Sequence, residues 1–209
     1  MIEGFLFNTI IVVGTVAFAM SGAYKGIRHN LDVLGVIVLG FATALGGGLI
    51  RDALILHTPA AFLDIGPSAC ALLGCTIAMI TTVFFKDHRS PFTDPEGKPF
   101  LALDAIGLAA FTILGASLGA QAGLNMFGII MLAAVTGVGG GVIRDLLVCE
   151  TPLVLKADFY ATATIIGGIV YAAMLTAGYQ GPVLNGAAFA TTLVLRTLAI
   201  MMKWQLPKF

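Results

Sequence analysis

Two pairs of opposite charge sit in otherwise apolar sequence. Arg51–Asp52 follows "ALGGGLI", residues 44–50, and Arg144–Asp145 follows "GVGGGVI", residues 137–143. Neither copy has the company that bond-making chemistry needs. No Ser/His/Asp set, His/Cys cluster or phosphate loop accompanies them, and the glycines lack the Lys-Ser/Thr ending of a P-loop. The chemistry that remains is electrostatic. In lipid such charges are costly and face a cavity or a partner. Each pair therefore either lines a vestibule and sets the potential an ion meets there, or the arginine snorkels to the interface with the aspartate neutralising it. Neighbouring helical residues point about 100° apart, so each can also find a partner on another helix.

The triplets Gly46, Gly47, Gly48 and Gly139, Gly140, Gly141 precede the charges by about one turn. A glycine inside a helix costs about 1 kcal/mol relative to alanine, so three in a row need a reason. One is close helix packing, which uses small residues spaced by four. The other is a break, and consecutive glycines favour it. A broken helix is tolerated in a bilayer only beside protein or a polar path, and bare carbonyls there replace part of a cation's hydration shell. Thr43 and Thr136 lie one turn earlier; their hydroxyls either face that path or bond the preceding carbonyls. Phe18 and Phe111 read as packing residues, one of which could plug a narrow pore. Thr58-Pro59 and Thr151-Pro152 read as an N-cap with proline at the first helical position. Gly14, Gly22, Gly35, Gly107, Gly115 and Gly128 read as helix-packing positions.

Composition dictates the solvent around these residues. Of 209 residues, 58% are hydrophobic and 11% charged, and the mean hydropathy is +0.99. A water-soluble domain carries about a quarter charged residues; this chain cannot cover a wet surface, so lipid is its main solvent. Zero net charge gives nucleic acid no purchase. Cys70, Cys75 and Cys149, odd in number and set in or beside apolar stretches, read as small buried hydrophobes, and His29, His57 and His88 form no ligand pattern. No metal or cofactor is expected. The first apolar run lacks a basic flank, carries Glu3 and is too long for a signal peptide, so it reads as a retained helix.

Crossing a bilayer takes about 20 helical residues, and seven runs qualify: 4–24, 33–50, 67–85, 101–120, 124–143, 159–178 and 184–202. The substantially polar connection is Lys86 to Pro99. An odd number of spans puts the termini on opposite sides. Lys25, Arg28, Lys86, Arg89, Lys98, Arg144, Lys156, Arg196, Lys203 and Lys208 fall on or near one side and Arg51 on the other, so the N-terminus is expected outside and the C-terminus in the cytoplasm. Lys203 and Trp204 read as an interfacial anchor.

The chain also repeats itself. Residues 11–59 align without a gap on 104–152, an offset of 93 positions, with twenty identities that include both triplets, both Arg-Asp pairs and both Thr-Pro pairs; Gly74 and Gly167 keep the offset further on. Each unit, 4–85 and 101–178, holds three spans, and an odd number inverts the second copy. Lys25 and Arg28 become Leu118 and Gln121 in the second copy, as an inverted loop requires, whereas Arg51 and Arg144 persist on both sides. The fold expected is an all-α membrane protein of one domain, 1–209: two inverted three-helix repeats and a seventh helix, 184–202, over their seam or an oligomer contact.

Two GGGxxRD segments on inverted three-helix repeats, each followed by Thr-Pro, with a seventh helix beyond, resemble the trimeric intracellular cation (TRIC) channel family in its prokaryotic branch. The resemblance implies a homotrimer in the cell (inner) membrane, with a pore in each subunit, second and fifth helices that bend at the triplets, and conduction of monovalent cations, chiefly potassium, with sodium and membrane lipids as further partners. It makes Gly46, Gly47, Gly48, Gly139, Gly140 and Gly141 pore lining. Animal members carry a lysine before the fifth-helix glycines, linked to phosphoinositide lipid; here the segment is "AAVTGVGGG", with Thr136 in that region. Related bacterial sequences carry a glycine-transporter label. The expected function is a potassium-permeable channel and not an enzyme; the alternative is a secondary transporter of a small zwitterion such as glycine.

Overall fold

The structure, a computed structural model, describes residues 2–85, 97–156 and 159–204. Most of the polar connection, with Lys86, His88 and Arg89, lies outside these residues, as does Lys208. Among the described residues the chain forms helices and no strand: α1 (Ile2–Arg28), α2 (Val33–Leu54), α3 (Ala60–Leu63), α4 (Gly66–Phe85), α5 (Lys98–Gln121), α6 (Met126–Leu147), α7 (Leu153–Lys156), α8 (Ala161–Thr176) and α9 (Gly181–Met202). Six are long and apolar enough to cross a membrane. The sixth expected span, α8, has 16 residues, about 24 Å of helix against a hydrocarbon core of about 30 Å.

Local chemistry sets the helix ends, and it does so twice. Asp32 caps α2 by accepting from the Gly35 N–H at 2.7 Å, and Asn125 caps α6 by accepting from the Gly128 N–H at 2.8 Å. At the other ends Leu56 and Cys149 take φ of 57° and 56°. The Leu56 and His57 N–H groups then return to the Ala53 and Asp52 carbonyls, and Cys149 and Glu150 repeat this with Leu146 and Asp145. This satisfies carbonyls that a helix end leaves bare. Cys149 is consequently exposed on a turn, not buried as its apolar surroundings suggested; Cys75 is buried and Cys70 partly so.

The polarity is turned inside out, as lipid solvent demands. Thr15, Ser21, Lys25, Asp104, Arg144 and Asp145 are buried, whereas Leu34, Phe62, Val83, Phe127 and Leu155 are exposed. α4 lies on α1 and α2, α8 on α6 and α5, and the two groups meet through α1 against α5 and α2 against α6. α9 lies along α8 and α5 and also touches α1. It breaks the likeness between the halves: a Cβ on Gly74 would meet Val16 and Ala19 of α1, whereas one on Gly167 would meet Thr192 of α9.

The expected helix breaks are not there. α2 and α6 run unbroken through both triplets, and none of those six glycines has a positive φ. What the missing side chains permit is contact. A Cβ on Gly47 would collide with the Thr136 carbonyl oxygen, and one on Gly140 with the Thr43 carbonyl oxygen. The two helices cross backbone to backbone here, where even a methyl group would not fit. Gly139 faces Gly47 in the same crossing.

Candidate functional site

Each triplet aims its following Arg-Asp pair into the protein. Arg51 donates from Nε to Asp52 at 2.7 Å and approaches it through Nη2 at 2.6 Å, and Arg144 donates from Nε to Asp145 at 2.9 Å. The second carboxylate oxygen of each aspartate accepts a backbone N–H eight residues on: Ala60 to Asp52 at 2.9 Å and Leu153 to Asp145 at 2.7 Å. The aspartates thus hold the first N–H of α3 and α7, work expected of Thr58 and Thr151. α3 has Pro59 at its cap position and no side-chain cap bond. Arg51 is 4% exposed and Arg144 0%, so neither arginine snorkels.

Beyond this shared frame the two sites diverge. Arg144 donates through Nη1 to Asp104 at 2.9 Å and to the Ser21 hydroxyl at 3.0 Å, and its guanidinium lies 5.1 Å from the Phe100 ring centre. Tyr160 donates to the same Asp104 oxygen at 3.2 Å, and Arg196 lies over the Tyr160 ring at 4.7 Å. Lys25, 1% exposed, bonds Asp145 at 2.6 Å and pairs with Glu150 at 3.1 Å, which in turn meets His29 at 2.8 Å. Burial pushes the Glu150 carboxyl up, but its bonds to Lys25 and then His29 outweigh that and hold it below the usual carboxylate range. Three cations and three carboxylates, with a histidine at the rim, form one network across α1, α5, α6, α9 and the turn after α6.

Among the described residues the first site has no such network. At the offset of 93 positions, Asp104 corresponds to Ile11, Ser21 to Leu114 and Tyr160 to Pro67. Ile11, Leu114 and Pro67 instead line a cavity of about 80 Å³ beside Arg51 and Asp52, together with Thr15, Gly48 and Phe111. One half of the chain leaves open what the other fills with charge.

Between the two sites Phe18 and Phe111 stack with ring centres 5.3 Å apart and planes 17° from parallel; both are buried. Gly107 makes room for Phe18, since a Cβ there would strike its ring. Thr43 and Thr136 donate to the Leu39 and Leu132 carbonyls, 2.6 Å each; of the two roles their position left open, the back-bond is the one observed. The structure therefore brings Arg51, Asp52, Phe111, Gly48 and the crossing at Gly47 and Gly140 into one region, with Arg144, Asp145 and Phe18 beyond it. Sequence reading did not find Asp104, Ser21, Tyr160 or Glu150, because each is a single polar residue on a long helix or turn without a matching partner in the other repeat. Lone buried polarity at Asp104, within an apolar run, was the available signal.

The family model described as glycine transporter matches residues 8–86 and 101–176. The UPF0126 membrane protein YvgT of Bacillus subtilis is 37% identical over 94% of this chain and 93% of its own. The UPF0126 inner membrane protein YadS of Escherichia coli K12 is 37% identical over 95% and 93%. Among solved structures, one from work on conductance through TRIC cation channels has 42% identity and a TM-score of 0.84 over 97% of both chains. A prokaryotic TRIC channel crystallised in 0.5 M KCl has 34% identity and a TM-score of 0.85, covering 97% of this chain and 99% of its own. The Rhodobacter sphaeroides TRIC orthologue has 29% identity and a TM-score of 0.83 over 95% and 99%.

Proposed function

The chain belongs to the prokaryotic TRIC family, in which the glycine-transporter model and the UPF0126 membrane proteins also fall, and from that membership we propose a potassium-permeable channel with one pore in each subunit of a homotrimer. Likeness to cation channels supports a cation channel and does not favour the zwitterion transporter. The pore we infer runs along the seam of two inverted repeats, between α1 and α2 on one side and α5 and α6 on the other, with seven spans, the N-terminus outside and the C-terminus in the cytoplasm.

One observation carries this reading: the reciprocal crossing of Gly47 on Thr136 and Gly140 on Thr43. It supports a shared seam with an equivalent Arg-Asp site toward each end and the stacked Phe18 and Phe111 rings between them. α1 ends where Lys25 meets Asp145, beside the end of α6, and α2 starts a short turn later, so α2 and α6 run in opposite directions. Arg51 then sits at the outer mouth and Arg144 at the inner one. In this reading the stacked rings are what closes the seam. Conduction requires them to part, leaving Asp52 and the backbone at Gly48, which line the cavity beside Arg51, to offset the arginine's repulsion of a cation. Current through purified protein in a planar bilayer tests the proposal. With unequal KCl on the two sides, the reversal potential should lie near the potassium equilibrium potential. Zero current at all voltages, or reversal near the chloride potential, would overturn it.

A further inference from the structure

The cavity beside Arg51 lacks something that its counterpart contains. In the second half, the Nη1 edge of Arg144 is met by the Asp104 carboxylate at 2.9 Å and by Ser21 at 3.0 Å. In the first half the corresponding residues are Ile11 and Leu114, both lining the cavity, and Arg51 Nη1 has no hydrogen-bond partner among the described residues. Asp52 cannot supply one, because one of its oxygens is held by Arg51 Nε and Nη2 and the other by the Ala60 N–H. A guanidinium with its residue 4% exposed and one edge unpaired keeps a desolvation cost that a ligand acceptor would remove.

The geometry points to a binding site in this cavity for a monocarboxylate carried on an apolar chain. The carboxylate bonds Arg51 Nη1 from within the cavity, doing for Arg51 what Asp104 does for Arg144. The chain lies along Ile11, Ala44, Leu45, Leu49 and Leu114, walls that offer a hydrocarbon favourable contact and an ammonium group nothing. A carboxylate fits better than a phosphate monoester, since only one donor edge is free and no second cation lines the cavity. Next to the cavity, α3 and the turn after it expose Phe62, Leu63 and Ile65, an apolar approach for an amphiphile. The ligand arrives either from water as a short acid or from the bilayer as a fatty acid.

Equilibrium binding of radiolabelled octanoate to the purified chain in phosphatidylcholine nanodiscs tests this. Binding should saturate and should not be displaced by octan-1-ol, which has the tail without the charge. Arg51→Gln and Ile11→Asp, the second of which installs a built-in carboxylate, should each weaken it roughly tenfold or more, the loss of one charge-assisted hydrogen bond. Ala60→Leu, which copies Leu153 from the other half, should block the cavity without touching charge and decides the matter if either of the others fails to fold. Displacement by oleate placed in the disc identifies a bilayer source, and octanoate binding without it an aqueous one. No saturable binding to the wild type, or equal binding in the three variants, overturns the site. Neither readout involves ion current, so its failure is separate from failure of the channel assignment.

Discussion

At the scale of single residues, two arginines share a motif and live in opposite circumstances. Arg144 is held by Asp145, Asp104 and Ser21, all buried, while Arg51 has Asp52 for its acceptor. A buried pair contributes little net stability, but removing one partner leaves an uncompensated charge and costs about 3–5 kcal/mol. Asp104→Ile, which gives the second half the first half's residue, should therefore lower unfolding stability by about that amount, measured by thermal melting in detergent. Adding Arg144→Met should recover part of the loss, because Asp145 keeps Lys25. The rim of the same network gives a pH dependence. The Glu150 carboxyl sits below its ordinary range because of Lys25 and His29, so its contribution is complete above the unfolded value of about 4.3 and disappears as pH falls through the lower folded value. Melting temperature should drop on acidification through that window, and Glu150→Gln should lower the neutral-pH value and flatten the slope. An unchanged slope in the variant would remove Glu150 from the account.

At the scale of the helix, glycine acts here through what it lacks. Replacing a helical glycine with alanine gains about 1 kcal/mol of propensity, and overpacking costs about 1–3 kcal/mol or more. Surroundings decide which wins. Gly186 of α9 has nothing within 4 Å of an added Cβ, whereas Gly140 has the Thr43 carbonyl in the way. Gly186→Ala should be neutral or stabilising, and Gly140→Ala and Gly47→Ala destabilising, read from the same melts. Equal effects at Gly140 and Gly186 would contradict the crossing. The sequence carried this element scale well, because hydropathy alone marks runs long enough to span, and observed bounds extend the expected ones by a few residues at most ends. The exceptions are α8, whose 16 residues fall short of the expected span, and the glycine triplets. Three consecutive glycines signal missing side chains, and a sequence does not say whether the backbone uses that freedom to bend or to let another backbone in. The partner glycines lie 93 positions away, and their contact is visible only once α2 and α6 are packed.

At the scale of the whole molecule, the repeat makes the architecture readable, and its divergence sets the two Arg-Asp sites apart. The repeat predicted two like halves, and the caps at Asp32 and Asn125, the turns at Leu56 and Cys149, and the bonds from Ala60 and Leu153 all recur as pairs. The unmatched residues were harder to read. Asp104, Tyr160, Glu150 and Lys25 come from separate elements, and only packing gathers them around Asp145 and Arg144. Arg196 and Lys203, both counted among the basic residues of one side, separate in the structure: the first is buried over Tyr160 and the second is exposed at the end of α9.

The central claim is that ions cross along the seam that the Phe18–Phe111 stack closes. Single-channel recording of Phe18→Ala/Phe111→Ala beside the wild type, in symmetrical KCl, tests it most directly. Removing both rings should raise the unitary conductance or the open fraction. Currents indistinguishable from the wild type, from protein that melts as the wild type does, would place the ion path elsewhere.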